Sequence, residues 1–125
     1  MLTKQEIFNI VAKHLIQQHC QSKNEKGVCV YRGKDGMKCA VGVLILDEHY
    51  YPSLENVIPF FYTPYSGPET FKLNRALSKS GVPEDAGVYK LLRDLQKLHD
   101  CNKPGLWEDL LRERAEIEGL EWPIS

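Results

Sequence analysis

The fold class is decided by VCVYRGKDGMKC, the stretch of sequence from Val28 to Cys39. Its first four residues are β-branched, aromatic or cysteine, a composition that favours a β-strand. Gly33, Asp35 and Gly36 supply the positions of positive φ that a tight hairpin turn requires. We therefore predict a small β-hairpin here, with a short return strand after the turn.

The next residues, from Cys39 to Leu46, are all apolar or glycine and fit two structures. A short apolar run is compatible with a buried strand and with a short buried helix, and its periodicity does not separate them. We expect the helix, because related sequences described below have one at this place.

Helical patterns occupy most of the remaining chain. Thr3 and Glu6 form a capping box before the first helix, and Ser66 begins another before the second. Asp85 is placed to cap the third helix, whose apolar stripe ends at His99. A fourth helix follows near the carboxyl terminus. The sequence thus predicts an α+β fold that is mainly helical, with four or five helices packed on the small β-hairpin in a single domain of residues 1–125.

Composition and charge exclude several classes of protein. The chain has 125 residues, of which 42% are hydrophobic and 26% charged, as in an ordinary globular domain. Its net charge of -1 argues against a dedicated nucleic-acid binder. The apolar runs are shorter than the roughly 18 residues of a membrane helix, and the first residues lack the order of a secretory signal. We expect a cytoplasmic protein without membrane association and leave its oligomeric state open.

Three residues could carry out catalysis, namely Cys39, His99 and Asp100. If Cys39 stands at a helix N-terminus, the helix dipole would lower its thiol pKa and favour the thiolate. A histidine within reach, oriented by a carboxylate, would then complete a Cys–His–Asp arrangement for acyl transfer. Adjacent residues on a helix point about 100° apart, which weakens Asp100 as the orienting group. The alternative for His99 is a core histidine whose hydrogen bonds are satisfied.

The four cysteines lie at positions 20, 29, 39 and 101, and no pair has C-x-x-C spacing. The simplest interpretation is four buried free thiols, and a reactive thiol is one alternative. Another is a zinc site of Cys29 and Cys39 with His49 or His99. The sequence has no Walker or Rossmann glycine pattern. We expect neither a metal nor a cofactor.

Basic and aromatic side chains are concentrated on the hairpin and after it. The glycines of the hairpin would let a phosphate or an acidic partner approach its basic residues closely. The segment from Asp47 to Gly67 is rich in aromatic residues and proline, which is typical of an irregular loop with a function, although its rings could simply cap the core. The expected ligand-binding residues are Tyr31, Arg32, Lys34, Lys38, Tyr50 and Tyr62.

The motif C-x-Y-R-G-x-x-G-x-K-C-A-x-G, from Cys29 to Gly42, resembles the signature of an uncharacterised family of small bacterial and phage proteins. The similarity continues in residues 95–100 and in the final helix with Trp107. A broader, more distant group has a Cys-Ala-x-Gly-Ala-Leu stretch that forms a helix, which is why we expect one after Cys39. The resemblance implies a shared fold and a chromosomal, plasmid or phage setting, but no activity and no catalytic residues.

These observations lead to two functional hypotheses. The first is a small binding or accessory protein, encoded by a phage or mobile element, that binds a host protein or a small phosphorylated ligand. The second is a cysteine-dependent enzyme of acyl transfer or hydrolysis that uses Cys39 and His99. The first is preferred because the sequence contains no complete catalytic set.

Overall fold

A computed structural model of the chain describes residues 1–56 and 68–124, with side chains at residues 1–55 and 72–124. In that part of the chain the α-helices are α1 (Lys4–Gln18), α2 (Pro68–Lys79), α3 (Ala86–Cys101) and α4 (Trp107–Glu118). Short 3-10 turns lie between them, at Lys34–Gly36, Gly42–Leu44, Asp47–His49, Pro52–Asn56 and Pro104–Leu106. None of the helices described is both long and apolar enough to cross a membrane.

The helices begin where the capping residues predict. The side chain of Thr3 accepts a hydrogen bond from the N–H of Glu6, and the Glu6 carboxylate accepts one from the N–H of Thr3. This confirms the capping box before α1. The carboxylate of Asp85 accepts a backbone N–H in the first turn of α3, at 3.0 Å, so that cap is confirmed too. The predicted cap at Ser66 lies outside the described residues.

The predicted α+β fold, with helices packed on a β-hairpin, is wrong, because the described residues contain no β-strand and no sheet. Their β-pairing consists of two isolated antiparallel bridges, one of them between Arg32 and Lys38. A strand needs a ladder of backbone hydrogen bonds. Here the Glu55 carboxylate accepts the N–H groups of Tyr31 and Arg32 instead, at 2.8 and 2.9 Å. The described fold is helical, and the described residues between α1 and α2, 19–56, form a largely irregular segment.

The tight turn within this irregular segment is predicted correctly. Asp35 and Gly36 have φ of 58° and 74°, the pattern of a type I′ turn. The positive φ expected at Gly33 is wrong, because this residue is extended, with φ of -93°. The apolar run after Cys39 forms neither a strand nor an α-helix, but one buried 3-10 turn at Gly42–Leu44. A Cβ on the glycine that opens this turn would lie 2.0 Å from the carbonyl oxygen of Tyr31. The two stretches of backbone therefore pack directly against each other.

The core lies where α1 meets α3, α4 and the Gly42–Leu44 turn. The apolar stripe of α3 is buried as predicted, and Trp107 of α4 is 1% exposed. Leu106 and Ile117, by contrast, are 52% and 59% exposed. The carboxyl-terminal tail folds back so that Trp122 packs edge-on against Phe8, with ring centroids 6.3 Å apart.

Candidate functional site

His99 ends the apolar stripe of α3 and is fully buried. Its ring stacks on the indole of Trp107, with centroids 5.3 Å apart. Its Nε2 accepts a hydrogen bond from the backbone N–H of Ser22, at 3.0 Å. Since an accepting nitrogen carries no proton, the ring holds its proton on Nδ1, which donates to Oδ1 of Asp100 at 2.7 Å. Both ring nitrogens are therefore engaged within the protein.

Asp100 does orient His99, although the two are neighbours in sequence. The expectation that their side chains point apart is wrong, because the aspartate folds back onto the imidazole. Gln96, one helical turn earlier, donates to the same carboxylate oxygen at 2.9 Å, and its own amide oxygen accepts the N–H of Val41 at 3.0 Å. Gln96 was not among the residues predicted from the sequence. The signal that could have revealed it is the i,i+4 spacing of Gln96 and Asp100, which brings the two side chains together on a helix.

In the described part of the chain, the cysteine grouped with His99 and Asp100 is Cys29. Its sulfur, a ring nitrogen of His99 and a carboxylate oxygen of Asp100 lie within 4.8 Å of one another. Burial raises the pKa of the Cys29 thiol, and the negative charge of Asp100 raises it further. A thiolate beside a carboxylate is unfavourable, so this arrangement keeps Cys29 as a neutral thiol.

Cys39 is fully buried, and its sulfur accepts a hydrogen bond from the N–H of Gly42 at 3.2 Å. Burial raises the pKa of its thiol to about 12. This is the opposite of the lowered pKa predicted for a cysteine at a helix N-terminus. The backbone N–H groups of Gly42 and Val41 do lower the pKa of Cys39, but burial outweighs them. The interpretation of four buried free thiols is also wrong in part. All four are free, but Cys20 and Cys101 are exposed and Cys29 is half-buried.

The group of Cys29, His99 and Asp100 has the donor atoms to share a metal ion, but its hydrogen bonds oppose this. Cys39 and His49, named in the zinc alternative, are not part of the group. A metal on Nδ1 of His99 would shift the ring proton to Nε2, where it would face the N–H of Ser22. A buried N–H left without an acceptor costs about 1–3 kcal/mol. The observed geometry fits protons on the thiol and on Nδ1 better than it fits a metal ion.

Tyr31 and Lys34, two of the predicted ligand-binding residues, have different surroundings in the structure. Tyr31 is buried, and burial raises the pKa of its hydroxyl group. Lys34 is exposed at the tight turn. Tyr62 lies outside the described residues. Of the aromatic residues in the stretch from Asp47 to Gly67, the structure describes Tyr50 and Tyr51.

Arg32, Lys38 and Tyr50, the other three, do come together, around Asp47. The guanidinium of Arg32 lies over the ring of Tyr50, 4.5 Å from its centroid, and donates to the carbonyl oxygen of Ile45 at 2.6 Å. Its other terminal nitrogen is 2.7 Å from Oδ1 of Asp47, and Nζ of Lys38 is 3.7 Å from the same oxygen. The Asp47 side chain is 83% exposed, against 17% for Arg32. An exposed carboxylate thus lies beside two cations, of which Arg32 is also held by Ile45 and Tyr50.

Glu55 holds Arg32 in place and was not among the residues predicted from the sequence. One of its carboxylate oxygens accepts the N–H of Tyr31, and the other accepts the N–H of Arg32 and the hydroxyl of Tyr50, the latter at 2.5 Å. Glu55 therefore fixes both the backbone of Arg32 and the ring on which its guanidinium lies. It belongs to a short turn without apolar periodicity, so the sequence carries no signal of this role.

Comparison of the chain with protein-family models, with curated proteins and with solved structures gave no match.

Proposed function

We propose that this protein is a small binding protein that takes up an anionic group between Arg32 and Lys38. The observation that carries the proposal is the guanidinium of Arg32, held by Ile45 and Tyr50 with one terminal nitrogen turned toward the exposed carboxylate of Asp47. Guanidinium and ammonium groups are the usual protein partners of phosphate and carboxylate. Because Arg32 is already ordered, a ligand would not have to offset the entropy of ordering it.

The anion that we propose is the phosphate of a small ligand or an acidic group of a host protein. Both carry oxygens that accept hydrogen bonds from a guanidinium. The signature from Cys29 to Gly42, which resembles small bacterial and phage proteins, supports an accessory role in such a genome. The binding site is part of that signature, because Arg32 and Lys38 are two of its residues.

A cysteine-dependent enzyme has less support from the geometry. Acyl transfer by Cys39 needs a thiolate and a histidine nitrogen that is free to take a proton. Burial raises the pKa of Cys39 to about 12, and both nitrogens of His99 are hydrogen-bonded within the protein. Catalysis would require both residues to rearrange, whereas anion binding at Arg32 requires only that Asp47 move.

An NMR titration of isotope-labelled protein with phenyl phosphate tests the proposal. We expect saturable shifts of the backbone amides of Arg32 and Lys38, and a weaker affinity in Lys38→Gln, which removes one cation and keeps Arg32 in place. Lys26→Gln is the matched control, because it removes an exposed cation elsewhere on the same segment. The proposal fails if the wild type shows no saturable shifts, or if the two variants lose affinity equally.

A further inference from the structure

The carboxylate of Asp47 lies where an incoming anion would have to bind. Its Oδ1 is within 4 Å of both cations of the site, and its side chain makes no other hydrogen bond or ion pair among the described residues. The side chain is also 83% exposed. Asp47 can therefore turn away into solvent by giving up only its contacts with Arg32 and Lys38.

The Arg32 side chain, by contrast, stays in place when Asp47 leaves. Its guanidinium keeps the hydrogen bond to Ile45 and the stacking on Tyr50, and its backbone N–H keeps the bond to Glu55. Of the five N–H donors of a guanidinium, those turned toward Asp47 would become free for a ligand. The site would then present two positive charges at its surface.

The charges of the site discriminate between types of anion. With Asp47 in place, one negative charge already faces the two positive charges of Arg32 and Lys38. An external carboxylate offers the same chemistry as Asp47, but Asp47 is held on the same chain and competes at a high effective concentration. A phosphate monoester brings close to two negative charges and three accepting oxygens, which can contact both cations together.

From this competition we infer that Asp47 is a specificity-determining residue and that the ligand is a phosphate monoester in its dianionic form. The inference rests on the proposed function and assigns a ligand class to the same site. Asp47 weakens the binding of carboxylates and other singly charged anions, because these compete with it less effectively than a dianion does. The dianion displaces it and occupies the space between Arg32 and Lys38.

Three probes of similar shape test the inference at about pH 8, where phosphate monoesters are dianions because their second pKa is about 6. Phenyl phosphate carries two charges, whereas phenyl sulfate and benzoate carry one. In the wild type we expect phenyl phosphate to bind about tenfold more tightly than either of the others. In Asp47→Asn all three probes should bind more tightly than to the wild type. The affinity for the singly charged probes should rise most, so that the preference for phenyl phosphate over them becomes smaller.

Glu48→Gln is the matched control, since Glu48 is the exposed acid next to Asp47 and makes no ion pair in the described part of the chain. Glu48→Gln removes one negative charge, as Asp47→Asn does. If both variants gained the same affinity for the singly charged probes, the net charge alone would explain the effect, and the inference would be overturned. Equal wild-type affinity for phenyl phosphate and phenyl sulfate would overturn it as well. In both cases the proposed function stands if Lys38→Gln still weakens binding. If the wild type does not bind phenyl phosphate, the proposed function itself fails.

A phosphate monoester can come from a free small molecule or from a phosphorylated side chain. A short peptide that contains phosphotyrosine separates these sources, because it carries the same group as phenyl phosphate. An affinity for the peptide well above that for phenyl phosphate would assign the site to a phosphorylated protein. Equal affinities would assign it to a small phosphate ester, and both results support the inferred dianion.

Discussion

The backbone N–H of Ser22 donates a hydrogen bond to Nε2 of His99, although 77 positions separate the two residues in sequence. The bond joins the irregular segment after α1 to the last turn of α3. It also fixes the tautomer of His99, because the nitrogen that accepts this bond carries no proton. The second ring nitrogen, Nδ1, donates to Asp100. His99 therefore has a structural role, because its buried ring connects two parts of the fold.

Replacing His99 by Phe separates packing from hydrogen bonding at this position. The phenyl ring can still stack on Trp107, but the buried N–H of Ser22 loses its acceptor. We expect His99→Phe to lower the free energy of unfolding by about 1–3 kcal/mol, and His99→Ala, which also removes the stacked ring, to lower it more. Urea unfolding followed by circular dichroism measures both. A His99→Phe variant as stable as the wild type would show that the Ser22 hydrogen bond contributes nothing.

The cysteines should differ sharply in their reaction with iodoacetamide. In the folded protein at neutral pH we expect Cys20 and Cys101 to be alkylated, because they are exposed, and Cys39 to remain unmodified, because it is fully buried with a pKa raised to about 12. Peptide mass spectrometry gives the extent of labelling at each site. Labelling in urea is the control, in which all four should react. Labelling of Cys39 in the folded protein at the rate of Cys101 would revive the enzyme hypothesis.

Gly42→Ala should be among the most damaging single substitutions in the irregular segment. Its new Cβ would be placed 2.0 Å from the carbonyl oxygen of Tyr31, and backbone atoms cannot move aside cheaply. We expect a loss of more than about 3 kcal/mol, or failure to fold. Gly105→Ala is the control, since a Cβ there meets nothing within 4 Å and should change stability little. Thermal unfolding compares the two variants, and similar melting temperatures would contradict the close backbone contact.

The helices could be predicted because their signals are local. The capping box of Thr3 with Glu6 spans one turn, and the cap of Asp85 lies next to the helix that it begins. The apolar stripe of α3 also repeats every turn, so its burial follows from the sequence alone. For these elements the residues that determine the structure are close together in the chain.

The segment after α1 could not be predicted, because side chains from distant parts of the chain hold its backbone. Glu55 accepts the N–H groups of Tyr31 and Arg32, and Gln96 accepts that of Val41, 55 positions away. These bonds replace the strand ladder on which the α+β prediction depended. For the same reason the sequence indicated Arg32 and Lys38 as ligand-binding residues without showing that Asp47 lies between them.

His14 should make the stability of the protein depend on pH. Its Nε2 donates to the carbonyl oxygen of Lys38 at 2.8 Å, which helps to fix the backbone of the proposed anion site. Burial is the main cause that lowers its pKa below the ordinary value of 6.5, and the charge of Lys38 lowers it further. The unfolded chain therefore binds a proton more readily than the folded one. The contribution of His14 to the free energy of unfolding is therefore fully present above pH 6.5, and it is lost as the pH falls through the lowered pKa of the folded state.

The substitution His14→Gln tests this dependence, because glutamine can still donate to the carbonyl oxygen of Lys38 but does not titrate. We expect the variant to lose less stability than the wild type when urea unfolding is repeated at decreasing pH below 6.5. The difference between the two curves isolates the histidine, since all other titrating groups are shared. His19→Gln is the control, because His19 is an exposed histidine at the end of the same helix. Parallel curves for the wild type and His14→Gln would show that His14 keeps the same pKa in the folded and unfolded chains.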